Sequence, residues 1–375
     1  MKILIITTLY KPSTAYGGPV TVAHDHALEL ISRGHSVEVA TSDILDFDTK
    51  VDNNQSEYQG VRVRYFPSIA FRRNFPYVYS LALNKWLERN VSNYDVVHIH
   101  YARELIPILA AKISLSKGVK TILQTHGMLN RRGILHTVID SLQVSKQLKR
   151  AHAVAVLQEI EKGTIECIQP KAKIEIIPNG IRIKNKIWAG KNGHERVIFV
   201  SRLHPRKRVV EFIKMASILA RKRNRCEFRI IGPDGGDKTR AEATISALGL
   251  QGRVTITGSV PADDLEREFL KTSVFVLPSV NEPFPMVVLE ALSYGVPTVV
   301  TSSIHIREIL KKSNAAIVSE EDASSLADAV ASILDSPRVA EELSMASRHF
   351  ISSSLTIEAV VENLEKVYGR EHGES

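Results

Sequence analysis

The sequence alternates short apolar runs with helical patterns of about 10–15 residues, and that alternation restricts the fold more than any other feature. In the first half the runs are Ile3–Leu9, Ser36–Ala40, Val61–Phe66, Asp95–His100, Thr121–His126, Ala151–Leu157 and Lys173–Ile177. The second half restarts with Arg196–Val200, Glu227–Ile231, Val254–Thr257, Val274–Leu277 and Pro297–Thr301. Helices are predicted at Val20–Arg33 (ended by Gly34), Val209–Lys222, Pro285–Tyr294 (stopped by Gly295), Ala323–Leu334 and Ser354–Tyr368. Strands that alternate with helices assemble as βαβ units into parallel sheets. The expected fold class is therefore α/β, with two doubly wound, Rossmann-like domains facing each other. Polar residues from Arg182 to Glu195 carry few strand or helix signals and read as the linker. Ligands of such sheets bind at the carboxyl ends of the strands, so the residues that close the strands are the candidates for chemistry.

Composition narrows the class. The chain has 375 residues, 44% of them apolar, which is enough for two cores and excludes disorder as the main state. No apolar run is long enough to span a bilayer, and Ile3–Leu9 reads as a buried strand rather than a signal peptide. Two cysteines, Cys167 and Cys226, make no disulfide framework and fit a reducing cytosol. The net charge is +8, all of it in the first half. Residues 1–185 carry 24 Lys/Arg against 16 Asp/Glu, and residues 186–375 carry 25 of each. A one-sided basic field attracts phosphates, nucleic acid or an anionic membrane.

Several strand-closing residues could carry chemistry. Glu282 precedes a helix opening near Pro285, and Glu290 lies on its early part. The start of that helix, Phe284, Pro285, Met286 and Val287, offers backbone N–H groups suited to an anion. Glu282 as a cap and Glu290 as a solvated residue is the plainer reading. Arg202, Arg206, Lys207 and Arg208 follow the strand that opens the second half and could clamp a diphosphate. Gly17 and Gly18 let the backbone approach a phosphate between the first strand and helix. Neither G-x-G-x-x-G nor a P-loop is present. His126 closes a strand and could donate to a substrate hydroxyl. His98 and His100 close the preceding strand, and their alternation is expected to turn only one of them to a given side. Asp46 and Asp48 form a D-x-D pattern, read as a solvated loop and not as a metal site. The basic excess concentrates in two segments. In one, Arg62, Arg64, Arg72, Arg73 and Lys85 interleave with aromatics such as Phe71, Tyr77 and Trp86. In the other, Arg131, Arg132, Lys146, Lys149 and Arg150 accompany an apolar helix face. Both fit a membrane contact, single-stranded nucleic acid, or a core face with a solvated rim.

In this order these features resemble glycosyltransferase family 4, the retaining group with the two-domain GT-B fold. The resemblance rests on the E-x7-E stretch Glu282–Glu290, on Arg202 with Lys207 five residues on, on Pro178-Asn179-Gly180, on Gly17-Gly18 and on His126-Gly127. It implies an acceptor-binding domain over 1–184, a nucleotide-sugar domain over 185–353, and a helix in 354–375 that returns to the first domain. Arg202 and Lys207 would neutralise the donor diphosphate, Glu290 would bond the ribose and Glu282 the donor sugar. His126 would sit beside the sugar and acceptor, and Gly17-Gly18 beside the distal phosphate. Asn179, Gly232 and Val260 join the implied substrate-binding set, the last two as base-lining positions. The sequence departs from the family at Pro283 and Pro285, where glycines are common, and at Arg182, where an acid is frequent.

The implied function is retaining transfer of a sugar from a nucleotide-diphosphate donor to a hydroxyl, in exopolysaccharide or envelope glycan synthesis. No metal or other cofactor is expected. The implied partners are a saccharide or polyprenyl-diphosphate-linked acceptor and an anionic membrane surface, without nucleic acid. The expected location is the cytoplasm, peripheral on the inner face of the plasma membrane. An epimerase or phosphorylase of the same fold, or a nucleic-acid-binding protein, are the alternatives.

Overall fold

The first strand shows why this chain forms parallel sheets. Ile3, Leu4, Ile5 and Ile6 are all fully buried. Side chains alternate across a strand, so Ile3 and Ile5 enter one core while Leu4 and Ile6 enter another on the opposite face. A computed structural model describes residues 1–13, 17–52, 56–71, 75–129, 143–190 and 195–369. The chain divides into two units, Met1–Gly180 with Ile357–Ser375, and Ile181–Thr356.

In the first unit, β1 (Lys2–Ile6), β2 (Ser36–Ser42), β3 (Glu57–Tyr58) and β4 (Val61–Phe66) precede a small ribbon of β5 (Ile69–Ala70) and β6 (Val78–Tyr79). Then come β7 (Val96–His100), β8 (Lys120–Gln124), β9 (Ala153–Val156) and β10 (Ile174–Ile176). Eight of these form one sheet in the order β10-β9-β8-β7-β1-β2-β4-β3. It is parallel except for β3, which runs antiparallel to β4 at the edge. In β4, Val61 and Val63 are buried while Arg62 and Arg64 face outward. Helices Gly18–Ser32 and Ile357–Gly369 cover the face bearing Ile3 and Ile5.

The second unit holds β11 (Arg196–Val200), β12 (Glu227–Ile231), β13 (Val254–Gly258), β14 (Val274–Leu277), β15 (Thr298–Thr301) and β16 (Ile317–Ser319). Their order is β13-β12-β11-β14-β15-β16. In both sheets the winding reverses beside the first strand, at β1/β7 and at β11/β14. Flanking loops part to opposite faces there and leave a crevice at the strands' carboxyl ends.

Three features differ from the sequence reading. The division falls after Gly180 and after Thr356, a few residues from the expected boundaries at 184 and 353. The last predicted helix, Ser354–Tyr368, is observed as Ile357–Gly369, and a helix that the sequence reading did not place, Pro337–Ser354, ends where it was to begin. The stretch read as linker is anchored in the second unit. Trp188 is only 6% exposed and belongs to that unit's core. Its indole N–H donates to the Thr272 carbonyl at 2.6 Å, and its backbone N–H to the Tyr294 carbonyl at 2.8 Å. A single large aromatic ring outweighs the polarity of its neighbours. Trp188→Ala is expected to destabilise the protein by about 3–5 kcal/mol, read by urea unfolding, because it opens a cavity and strands a carbonyl. A change below about 0.5 kcal/mol would restore the linker reading.

Candidate active site

The crevice of the second unit is built by close backbone approach. Gly232 leaves β12 with φ +143°, and a Cβ there would lie 2.0 Å from the Ser201 carbonyl oxygen. Only glycine lets the exits of β12 and β11 lie this close. A Cβ on Gly235 would meet the Arg202 side chain at 2.7 Å, so Arg202 lies along this loop. Next, Pro205–Lys207 forms a 3-10 turn. The His204 ring nitrogen Nδ1 accepts the Arg206 N–H at 3.2 Å, and Arg208 closes the turn in the left-handed region at φ 55°. The helix Val209–Ala220 follows.

This turn directs Lys207 to the far side of the reversal. Its Nζ donates to Glu282 Oε2 at 2.6 Å, and Arg206 lies 3.6 Å from the same oxygen. Glu282 belongs to the loop after β14. That loop is tied by the Val280 N–H to the Arg206 carbonyl at 3.0 Å and by the His305 N–H to the Glu282 carbonyl at 2.9 Å. Burial lowers the Lys207 pKa, the Glu282 charge opposes that shift, and Arg206 and Arg202 add to it. Arg208 points away, to Glu321 at 3.1 Å.

The helix Met286–Tyr294 starts just beyond, with Pro285 as N-cap and no side chain capping it. Phe284, Val287 and Val260 pack partly buried against the second unit's core. Met286 and Glu290 are partly buried as well. Glu290 is not the freely solvated residue of the plainer reading: burial raises its carboxyl pKa, and Lys184 opposes the shift.

In the first unit, Gly17 is left-handed at φ 70° and Gly18 opens the helix Gly18–Ser32, which no side chain caps. His126 follows β8 with φ 49°, a left-handed backbone uncommon outside glycine. Glu161 holds this segment. Its carboxylate accepts the Thr125 hydroxyl at 2.5 Å, the Leu157 N–H at 2.7 Å and the Gly127 N–H. The sequence reading missed Glu161, although Gln158 and Glu161 have the spacing of a helix-start box. The Gln158 side chain does accept the Glu161 N–H at 2.9 Å. It also missed Glu104, a buried carboxyl that accepts the Thr8 hydroxyl and that burial pushes up to about 7.

The expectation for His98 and His100 was wrong. Residues two apart in a strand point to the same face, and their rings lie 5.2 Å apart and within 13° of parallel. His100 Nδ1 is 2.7 Å from His126 Nε2, and His98 Nδ1 is 2.5 Å from the Tyr368 hydroxyl. His26, from the helix Gly18–Ser32, lies 6.1 Å from His98 and 6.3 Å from His100, ring to ring. Desolvation lowers all four pKa values, to about 4 for His98 and about 3 for His126, with His26 and His100 also below the ordinary range. All four are neutral at physiological pH.

Other candidates have different tasks. Asp46 Oδ1 accepts the N–H groups of Asp48 and Thr49, both at 2.8 Å, as a turn carboxylate does. Arg64 pairs with Glu38 and lies 5.2 Å over the Trp86 ring, so this part of the basic segment is structural. Arg72, Arg73, Arg131 and Arg132 lie outside the described residues.

Comparisons with known proteins agree with this architecture. Residues 16–185 match the family model "Glycosyltransferase Family 4", and residues 181–350 match "Glycosyl transferases group 1". The 2-deoxystreptamine N-acetyl-D-glucosaminyltransferase of Niallia circulans is 25% identical over 76% of this chain and 79% of its own. The N-acetyl-alpha-D-glucosaminyl L-malate synthase of Bacillus anthracis is 22% identical over 98% of this chain and 97% of its own. Among solved structures, Anabaena HepE in complex with UDP and glucose has a TM-score of 0.79 at 16% identity, covering 99% of this chain and 100% of its own. The Thermosynechococcus elongatus sucrose-phosphate synthase has a TM-score of 0.78 at 17% identity, covering 98% of both chains. These likenesses establish the GT-B fold.

The buried histidines give a test through pH. Each binds a proton in the unfolded chain below about pH 6.5, whereas the folded chain binds it only at lower pH. Their contribution to stability is whole above that value and is lost as pH falls. His26→Leu should therefore flatten the fall in unfolding free energy between about pH 6 and 4, by up to about 1.4 kcal/mol per pH unit. Parallel slopes for both proteins in urea titrations would show that His26 is protonated in the fold.

Proposed function

The chain belongs to glycosyltransferase family 4 and transfers sugars; from that premise we propose that its donor is a nucleotide-diphosphate sugar, used with retention and without a metal. The observation that carries this reading is the buried Lys207–Glu282 pair at the β11/β14 reversal, with Arg202 and Arg206 beside it. Departure of a nucleoside diphosphate leaves negative charge on its terminal phosphate. Cations already fixed by the fold stabilise that charge without reorganising. Arg202 and Lys207 grip the diphosphate, Glu290 bonds the ribose hydroxyls and Glu282 the donor sugar. Gly232, Val260 and the segment Phe284–Val287 line the donor. The acceptor binds on the first unit, where Gly17, Gly18, His126 and Asn179 serve it and the sugar. The acceptor oxygen bonds the anomeric carbon on the face from which the phosphate departs, and a phosphate oxygen takes the acceptor's proton. A nucleic-acid-binding reading gives this pair no comparable task, and an epimerase or phosphorylase of the same fold would differ by consuming its substrate without a saccharide acceptor.

We also propose that the acceptor is lipid-linked and that the protein works peripherally on an anionic membrane, in envelope or exopolysaccharide synthesis. Ile69, Phe71, Tyr77 and Leu81 support this, being between 45% and 62% exposed in one short segment of the more basic half. Aromatic and aliphatic side chains amid cations suit a bilayer interface.

Lys207→Ala and Glu282→Ala should each lower the transfer rate by about 10²-fold or more with the circular dichroism unchanged. Full turnover in either would refute the assigned roles. Excess EDTA should leave the rate intact, whereas complete loss would point to a metal. An anomeric proton spectrum of the first product should show the donor's configuration. Phe71→Ser combined with Arg72→Ser and Arg73→Ser should weaken sedimentation with phosphatidylglycerol vesicles, and unchanged binding would remove the membrane reading.

A further inference from the structure

We propose that the second unit carries another anion site, a cavity that takes a soluble phosphate monoester with a short apolar arm. The cavity has a volume of about 330 Å³, the size of a small-ligand site. Lys184, Arg348 and His349 line it together with Ile183, Met345 and Ile351, all of them in the second unit. Ser293, on the same wall, lies near the carboxyl end of the helix Met286–Tyr294. That is about 10 Å along the axis from Met286, so the cavity sits at the far end of the helix from the segment assigned to the donor.

Close packing builds the walls. The helix Met286–Tyr294 stops at Gly295, which is left-handed at φ 81°. A Cβ there would lie 2.7 Å from Ser344 Oγ and 2.9 Å from Arg348 Cδ. The missing side chain lets the helix Pro337–Ser354 cross at this point and seats the Arg348 stem. Met345, Arg348, His349 and Ser352 follow one another at helical spacing and share one face. The Lys184 ammonium lies 5.5 Å over the Tyr294 ring. Among the described residues none of Lys184, Arg348 and His349 forms an ion pair. Glu290 and Glu266, the carboxylates on which Lys184 acts electrostatically, do not line the cavity. Ser293 and Ser352 give their hydroxyl protons to the carbonyls of Glu290 at 2.7 Å and His349 at 3.1 Å. Recognition therefore rests on the three basic side chains. A phosphate monoester brings up to about two negative charges and three acceptor oxygens, one for each of them. Ile183 and Met345, 54% and 64% exposed, give the ester's carbon arm an apolar flank.

The experiment titrates full-length protein, labelled with carbon-13 at the methionine methyls, with octyl phosphate below micelle formation. Met345 reports the cavity and Met286 the donor segment, each signal assigned by its leucine substitution. Octyl phosphate should shift the Met345 signal to saturation, octyl sulfate should do so more weakly, and uncharged octyl glucoside should leave it in place. Lys184→Gln combined with Arg348→Gln should raise the apparent Kd by about tenfold or more with the circular dichroism unchanged. Should the double variant fail to fold, Arg348→Gln alone decides by the same shift in Kd. A response to octyl glucoside equal to that of octyl phosphate, or wild-type affinity in the variants, overturns the proposal. Equal affinity for octyl sulfate overturns the assignment to phosphate. A shift at Met286 with Met345 unmoved would place the anion at Arg202 and Lys207 and leave this cavity without a ligand. Loss of the Met345 signal with phosphatidic acid vesicles, without a response to octyl phosphate, would overturn the soluble ligand in favour of a lipid headgroup.

Discussion

A buried ammonium and a buried carboxylate, 2.6 Å apart, organise the second unit. Neither side chain is more than 15% exposed, so removing Glu282 would leave the Lys207 ammonium without its carboxylate, whereas Glu282 would keep Arg206 at 3.6 Å if Lys207 were removed. The pair exists because β11 and β14 are neighbours at the reversal of the winding, although Lys207 and Glu282 are 75 residues apart in sequence. The same loops carry Arg202 and Arg206 to that place. Topology concentrates the charge, and the glycine at 232 sets how closely the loops approach.

The first unit solves a different problem with the same topology. Where the second unit collects ions, the first buries four neutral imidazoles and holds their exit loop with the Glu161 carboxylate. Neutral rings tolerate desolvation far better than ions, at the expense of acid stability. One unit therefore gathers fixed positive charge, and the other a cluster of buried neutral rings.

Much of the architecture was readable from patterning. β1 and β4 announced themselves, one by being apolar throughout and the other by strict alternation. What escaped depended on distant partners or on period arithmetic. Trp188 lay in a polar run, and its burial is decided by Thr272 and Tyr294, far along the chain. Glu161 acquires its role from Thr125 and Gly127, which reach it only once β8 and β9 pair. Lys207 and Glu282 each stood out by position, but their pairing needs the strand order. His98 and His100 were misread because residues two apart in a strand share a side.

The helix Ile357–Gly369 contributes Ile357, Val360, Val361, Leu364, Val367 and Tyr368 to the core beneath β1. During synthesis, the amino-terminal half emerges long before this final piece leaves the ribosome. Until then the apolar surface over Ile3 and Ile5 is covered only in part, by the helix Gly18–Ser32, so the lobe made first is completed last. Nascent chains halted before Ile357 are thus natural clients for chaperones, and a nonsense mutation late in the gene would strike the opposite end of the molecule.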